Sequence, residues 1–182
     1  MAHLKSTLIF IANNTFYMKH WFFICLFLPA AIKAQDCNLK KDQDLLTNKP
    51  KLSTGFIELD NAILNIEVSG KDIDFFFVIK NKAANCFNDE SEVLVTYEGG
   101  KLKNEYRNST GYTNCEGVFH LVFRNSATYT PSGLQKLIAK KAISFLFTAS
   151  NGKTTLVALN DAQQKLIVQL ATCIAKDAKT VL

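Results

Sequence analysis

The chain has 182 residues and a formal net charge of +5, and only three of its residues are histidines. Just two of its basic residues are arginines, Arg107 and Arg124, so the composition gives no case for the clustered cations of a nucleic-acid-binding surface. The small number of histidines also excludes most metal and catalytic sites that need several imidazoles.

The first element along the chain is a leader of the secretory type. A basic pair at 19–20 precedes an apolar run over 21–32, and Ala34 is a small residue suited to cleavage. The run is shorter than the roughly 20 apolar residues that span a bilayer. We therefore predict that residues 1–17 are an over-extended start, that translation begins at the second methionine, and that residues 18–34 are a signal peptide.

Cleavage after the leader would change the composition of the chain. It would remove three lysines and no acidic residue, so the net charge falls from +5 to +2, with 18 basic against 16 acidic residues. The mature protein would be periplasmic or secreted, without a stable membrane span. Lipid attachment at Cys37 is disfavoured, because Gln35 and Asp36 precede this cysteine where a lipoprotein would have small residues.

Strands dominate the rest of the chain. Residues 35–53 are polar and are predicted to be a loop, whereas residues 54–182 are predicted to be a single β-rich domain. Apolar alternation and turn residues predict about eight strands. These strands are expected at 54–59, 62–68, 72–80, 92–98, 101–107, 117–124, 142–150 and 153–159.

Two helices are predicted in the last third of the chain. Thr130 as a cap and Pro131 at the first helical position would start a short helix over 130–141. Asn160 would cap a second helix, with Gln163 in the capping-box position. One face of this second helix is apolar and contains Ala162, Leu166, Ile167, Leu170, Ala171 and Ile174. The expected fold class is mainly β (α+β): an antiparallel β-sandwich or curled sheet, with the short connecting helix and the C-terminal helix packed on it.

Four cysteines remain after the leader, and an even number in an exported chain indicates disulfides. If the strands run up and down, the loops that contain Cys86 and Cys115 are neighbours at one end of the sheet. We therefore predict a disulfide between these two residues. Cys37 would then pair with Cys173 and fasten the polar lead to the last helix.

The tail LQKLIAKKAISFLFTASNGKTTLVALNDAQQKLIVQLATCI, with the ANCF loop after FFFVIK, resembles a loose class of small, uncharacterised secreted bacterial proteins. In that class a short Leu-x-x-Leu helix precedes a strand, a glycine-containing hairpin, a second strand and an amphipathic helix that often ends in Cys-Ile. The likeness covers residues 54–175 and departs within AISFLF, where the class commonly has a basic residue. It implies a β-rich fold and an extracytoplasmic location, and it implies no activity.

Motifs for catalysis, cofactors or metals are weak. His120 could act as a general base with Glu116, but no nucleophile motif accompanies it, so an ordinary strand histidine is favoured. The sequence at 152–154 lacks the earlier glycine of a phosphate loop, and a hairpin turn is favoured there. Asn108 begins a glycan acceptor pattern, which matters only in a glycosylating host. Solvated acids rather than calcium ligands are expected at Asp42, Asp44, Asp60, Asp72, Asp74, Asp89 and Glu90.

The sequence thus predicts an exported, non-enzymatic β-rich module with a binding or structural role in the cell envelope or outside the cell. No cofactor is expected, and no particular partner is indicated. One alternative is a small carrier of an apolar ligand, with a cavity beside Phe76. A second alternative is a hydrolase that uses His120.

Overall fold

The computed structural model describes residues 37–44, 48–80 and 86–182. The predicted start and signal peptide, at 1–17 and 18–34, lie outside the described residues. Within the described ranges the chain forms ten strands, two α-helices and a final 3-10 helix. The strands are β1 (Lys40–Gln43), β2 (Pro50–Ser53), β3 (Ile57–Glu58), β4 (Ala62–Ser69), β5 (Asp72–Ile79), β6 (Glu92–Tyr97), β7 (Lys103–Arg107), β8 (Val118–Arg124), β9 (Ala142–Thr148) and β10 (Thr154–Ala158). The helices are α1 (Ser132–Ala139), α2 (Asp161–Asp177) and the 3-10 helix (Ala178–Val181).

These strands form two antiparallel sheets, as the mainly β fold class predicts. Sheet A has the order β1-β2-β4-β5-β8, and β3 pairs with β4 on the same side as β2. Sheet B has the order β10-β9-β6-β7. The chain crosses from sheet A to sheet B after β5 and returns to sheet A after β7, so the two sheets are interleaved in sequence.

The hairpin of β4 and β5 is the centre of sheet A. Its strands pair over eight residues each, from Ser69 opposite Asp72 to Ala62 opposite Ile79. Two residues make the turn, and the first, Gly70, has a φ of 53°. Hairpin turns of this length require positive φ, which costs glycine little because it has no Cβ.

The polar lead was wrongly predicted to be a loop. It contains β1 and β2, which form a hairpin that extends sheet A beyond β4. All four residues of β1 are exposed, and in β2 only Leu52 is buried. Such an edge strand has no apolar face, so alternation cannot reveal it. Its lysines are typical of edges that must not pair with other chains.

The predicted strand at 54–59 is shorter in the structure, because a bulge separates β2 from β3. Three residues, 54–56, stand opposite two residues of β4. Gly55 takes a φ of 72° there, and Phe56 is turned out of the sheet with 73% of its surface exposed. Bulges of this kind bend an edge and re-aim side chains.

The core lies between the two sheets and is rich in phenylalanine. The ring centroid of Phe77 on β5 lies 5.1 Å from those of Phe145 and Phe147 on β9. Phe119 on β8 also contacts Phe147, at 5.1 Å and nearly edge to face. These rings are fully buried, so the inner faces of the sheets meet as in a sandwich.

The helices close one side of the sandwich. Helix α2 contacts β4 of sheet A and β9 of sheet B, and α1 packs against α2. The capping box of α2 forms as predicted, because the Asn160 side chain accepts a hydrogen bond from the Gln163 backbone while the Gln163 side chain accepts one from the Asn160 backbone. Ala162 is exposed rather than on the buried face, since it lies in the first turn, at the surface.

The start of α1 differs from its prediction. Pro131 is the N-cap residue instead of the first helical residue, and no side chain caps the helix, so Thr130 does not have the predicted role. Pro131 has extended backbone angles, and its carbonyl accepts the first helical hydrogen bond, from Gln135. The helix end is held instead by packing, since Gly133 and Leu134 are buried.

The structure contains two disulfides, Cys37–Cys173 and Cys86–Cys115, which are the pairs predicted from the sequence. The loops of Cys86 and Cys115 do meet, but they connect two sheets instead of neighbouring strands of one sheet. Phe87 and Asn114, beside these cysteines, exchange two backbone hydrogen bonds of 2.7 and 2.9 Å. The disulfides indicate an oxidising environment outside the cytoplasm.

Candidate binding groove and the outer face of sheet A

Charged side chains form a cross-strand row on the outer face of sheet A. Lys51 lies 2.5 Å from Glu67, and His120 Nδ1 lies 2.7 Å from Asp74 Oδ2. Glu67 and Asp74 are directly opposite each other on β4 and β5. Like charges in such positions repel. The row is therefore arranged as lysine, acid, acid, histidine, and each acid has a hydrogen-bonding partner on its far side.

His120 does not bond to Glu116, the acid suggested from the sequence. Its acidic partner is Asp74, which lies diagonally across the β5–β8 pair because His120 itself stands opposite Phe76. The imidazole also contacts the Phe76 ring, with centroids 5.1 Å apart. An aspartate can orient an imidazole for catalysis when a nucleophile is in reach. In the part of the chain described, no Ser, Thr or Cys side chain hydrogen-bonds to this imidazole.

The backbone edge of β8 beside His120 is covered by a loop. The side-chain oxygen of Asn108 accepts a 2.8 Å hydrogen bond from the His120 amide, and the Ser109 amide donates to the His120 carbonyl. The Asn108 side-chain nitrogen donates to the Asn88 carbonyl at 3.1 Å. Only 4% of Asn108 is exposed, so the nitrogen that would carry a glycan is not accessible in the folded chain.

A second polar network fixes the bulge of sheet A. Asn65 is buried on the outer face, where its oxygen accepts a hydrogen bond from Ser53 and its nitrogen donates to Glu67 at 2.7 Å. Thr54 accepts a 3.0 Å hydrogen bond from the Ile66 amide across the bulge. These bonds satisfy groups that the interrupted pairing would otherwise leave without partners.

A groove of about 1070 Å³ opens at one end of sheet A. Four separate segments meet there: the start of β2, the β4–β5 turn, the chain after β8, and the 3-10 helix. The lining residues are Lys49, Pro50, Ser69, Gly70, Lys71, Asp72, Arg124, Asn125, Ser126, Ala127, Tyr129, Thr180, Val181 and Leu182. Because these residues are distant in sequence, no local pattern could have marked them as one site.

The charge of the groove is unbalanced. Lys49, Lys71 and Arg124 are basic, whereas Asp72 is its one acidic side chain and is paired with Arg124. Neither Lys49 nor Lys71 has an ion-pair partner within the described ranges. Arg124 contacts Asp72 through Nη1, which leaves further guanidinium donors available. The groove therefore offers cationic donors that the fold itself does not neutralise.

Asn125 holds the walls of the groove together. Its side chain is buried and donates to the carbonyls of Gly70, at 3.2 Å, and Ala178, at 2.8 Å. Its backbone amide donates to the Lys71 carbonyl at 2.7 Å. The β4–β5 turn, the end of β8 and the 3-10 helix are thereby tied to one residue. A groove with walls fixed in this way is largely pre-formed, as ligand sites usually are.

A smaller depression of about 650 Å³ lies beside the N-terminus of α2. Its Lys80 ammonium is engaged by the Glu58 carboxylate at 2.9 Å and by the Leu59 carbonyl at 3.1 Å. The Gln163 side chain donates to the Glu58 carbonyl. These polar groups are used within the fold, so this depression is less suited to a ligand than the groove.

The remaining motifs have structural roles. Asn151 and Gly152 form the hairpin turn between β9 and β10, as predicted for the sequence at 152–154. Of the acids considered as calcium ligands, Asp89 accepts a hydrogen bond from the Gly111 amide at 2.8 Å. Among the described residues, no group of three or more His, Cys, Asp or Glu side chains could hold a metal ion. Phe76, proposed to border a carrier cavity, lines neither the groove nor the smaller depression.

Two tyrosines that the sequence did not single out have perturbed pKa values. Burial raises the pKa of the Tyr97 hydroxyl far above its ordinary value, and the neighbouring Tyr106 raises it further. Burial also raises the pKa of Tyr106. Tyr106 packs edge to face on Phe123, with centroids 5.6 Å apart. Both hydroxyls therefore stay neutral at physiological pH and belong to the core, not to the groove.

No family model, curated protein or solved structure matches this chain. The resemblance to small secreted bacterial proteins therefore stays a prediction. Within the part of the chain that the structure describes, no helix is long and apolar enough to cross a membrane.

Proposed function

We propose that this protein is an exported, non-enzymatic module that binds a ligand in the groove at the end of sheet A. Its site of action would be the periplasm or the space outside the cell. The observation that carries the proposal is the combination of fixed walls and unpaired cations. Asn125 anchors three segments of the wall, and Lys49 and Lys71 have no ion-pair partner in the described chain.

Export is supported by two independent features. The sequence at 18–34 has the pattern of a signal peptide, and four cysteines are joined as two disulfides. When the protein is expressed in a bacterial host with this leader, we expect it in the periplasmic fraction released by osmotic shock. Its cysteines should react with a thiol reagent only after reduction. Retention in the cytoplasm with free thiols would contradict export.

Binding in the groove can be tested by photo-crosslinking in living cells. We expect a benzoylphenylalanine in place of Tyr129, which is 60% exposed in the groove, to form covalent adducts. The matched control is the same probe in place of Leu156, which is 51% exposed on sheet B. Adducts from the first position alone support the proposal, and equal yields from both positions, or none from position 129, contradict it.

The hydrolase alternative rests on the 2.7 Å contact between Asp74 and His120. No hydroxyl or thiol side chain of the described residues bonds to this imidazole, which favours the non-enzymatic proposal. The hydrolase alternative predicts that the purified protein hydrolyses simple nitrophenyl esters faster than buffer does. It also predicts that His120→Ala abolishes this excess rate. We expect no rate above buffer and no effect of the substitution.

A further inference from the structure

We infer that the ligand of the groove is an acidic peptide segment that also carries apolar side chains. This rests on the proposed function, because it specifies the chemistry of the ligand at the same site. The inference depends on two properties of the lining, which are its charge and the placement of its apolar residues.

The charge of the groove complements an acid. Lys49 and Lys71 are exposed cations on two different walls, and Arg124 retains guanidinium donors beyond those that meet Asp72. The groove is thus lined by three basic side chains and one acidic side chain. Lysine and arginine form charge-assisted hydrogen bonds with carboxylates, as they do with phosphates, and opposite charge also speeds encounter.

The apolar part of the lining favours a peptide over a purely polar anion. Pro50, Ala127, Tyr129 and Val181 line the groove together with the cations, and most of the Tyr129 surface is exposed to solvent. An acidic polysaccharide or a phosphate would supply charges and few apolar groups for these residues. A peptide that carries both acidic and apolar side chains supplies partners for both kinds of lining residue.

The size of the groove agrees with an extended segment. Its volume of about 1070 Å³ slightly exceeds the range for small-molecule sites, roughly 300–1,000 Å³. The groove lies at the end of sheet A between the β4–β5 turn and the 3-10 helix, and Asn125 already fixes these walls. A short peptide can therefore lie in it without any movement of the disulfide-linked sandwich.

Fluorescence anisotropy with three labelled hexapeptides tests the inference. One alternates glutamate and phenylalanine, the second replaces glutamate by lysine, and the third replaces phenylalanine by serine. We expect the first to bind at least about tenfold more tightly than either of the others, and to weaken as salt is raised to about 0.5 M. Equal binding of the lysine peptide would overturn the role of charge, and equal binding of the serine peptide would overturn the role of the apolar lining.

Protein variants locate the peptide. Lys71→Glu and Lys49→Glu should each weaken binding of the glutamate–phenylalanine peptide about tenfold, and Tyr129→Ala by a similar factor. Lys103→Glu, on exposed β7 of sheet B, is the matched charge control and should leave affinity unchanged. Circular dichroism establishes that each variant is folded. Should a folded Lys71→Glu and Lys49→Glu bind as tightly as the parent, the inference is wrong.

The crosslinking and binding experiments together distinguish failure of the peptide inference from failure of the proposed binding function. Adducts at position 129, together with tighter binding of an alginate oligosaccharide than of the peptide, would refute the peptide and retain the binding module. Absence of adducts and of binding by any probe would refute both. Competition of the adducts by the glutamate–phenylalanine peptide would support both.

Discussion

The two faces of the β5–β8 pair use the same strands for different purposes. On the inner face, Phe75, Phe77 and Phe119 are fully buried against sheet B. On the outer face, the side chains of Asp74 and His120 are partly exposed and lie within hydrogen-bond distance of each other. The apolar burial of sheet A is therefore concentrated on its inner face. We expect substitutions of exposed residues on the outer face and in the groove to cost less stability than substitutions on the inner face.

The largest expected difference in stability is between substitutions of two adjacent phenylalanines on β5, Phe76 and Phe77. We expect Phe77→Ala to lower the free energy of unfolding by about 3–5 kcal/mol, because it leaves a cavity among the rings of sheet B. Phe76→Ala removes a half-buried ring from the outer face and should cost about 1 kcal/mol. Urea denaturation of both variants measures the difference. Equal losses would mean that the outer face is as important for stability as the core.

The two disulfides come next, since each joins segments that are distant in sequence. Replacing Cys86 and Cys115 by serine should destabilise the protein by about 4 kcal/mol, from the entropy of a loop of 29 residues. The pair Cys37 and Cys173 closes a sequence separation of 136 residues, for which the same argument gives about 5 kcal/mol. In thermal unfolding, the variant without Cys37–Cys173 should therefore have the lower melting temperature of the two. The reverse order would indicate that other contacts hold the edge hairpin of β1 and β2 in place.

On the outer face we expect small effects. Asp74→Asn keeps the shape of the side chain and its hydrogen bond to His120, and it removes repulsion from Glu67 across the strand pair. Partly exposed ion pairs contribute about 0–1 kcal/mol, so stability should change by less than about 1 kcal/mol. A much greater loss in urea denaturation would show that the outer face stabilises the fold as the inner face does.

The buried tyrosines give an effect that is confined to alkaline pH. Because the pKa of Tyr97 is raised in the folded state, the unfolded chain loses this proton first as pH increases, and stability declines once pH passes the ordinary tyrosine value. Below that value the contribution is fully present. Unfolding measured between about pH 8 and 11 should show a weaker decline for Tyr97→Phe than for the parent. An identical decline would contradict the burial of this hydroxyl.

Much of the sandwich could be predicted from the sequence because its elements carry local signals. The strand at 72–80 places Ile73, Phe75, Phe77 and Ile79 on one face, and the Asn160–Gln163 capping box marks the start of α2. Strand β1 carries no such signal, because an edge strand with both faces exposed has no apolar alternation. The bulge before β3 was also missed, since one extra residue leaves the composition of the segment unchanged.

The candidate site was less predictable than the fold. Single residues such as Asp72 and Arg124 were noted, but their common location depends on how four segments converge. Asp74 was considered as a calcium ligand, yet its partner is His120, and the diagonal placement of the two follows from the register of β5 and β8. Such register is set by tertiary packing and by turn geometry. A single sequence contains no direct signal for it.

The central claim is that the protein binds its ligand in the groove at the end of sheet A. Backbone amide shifts, measured by NMR as the glutamate–phenylalanine peptide is added, test this claim most directly. We expect the largest changes at residues 69–72 and 124–129, and none on β9 or β10 of sheet B. Changes confined to the neighbourhood of His120, or spread over sheet B, would contradict the claim.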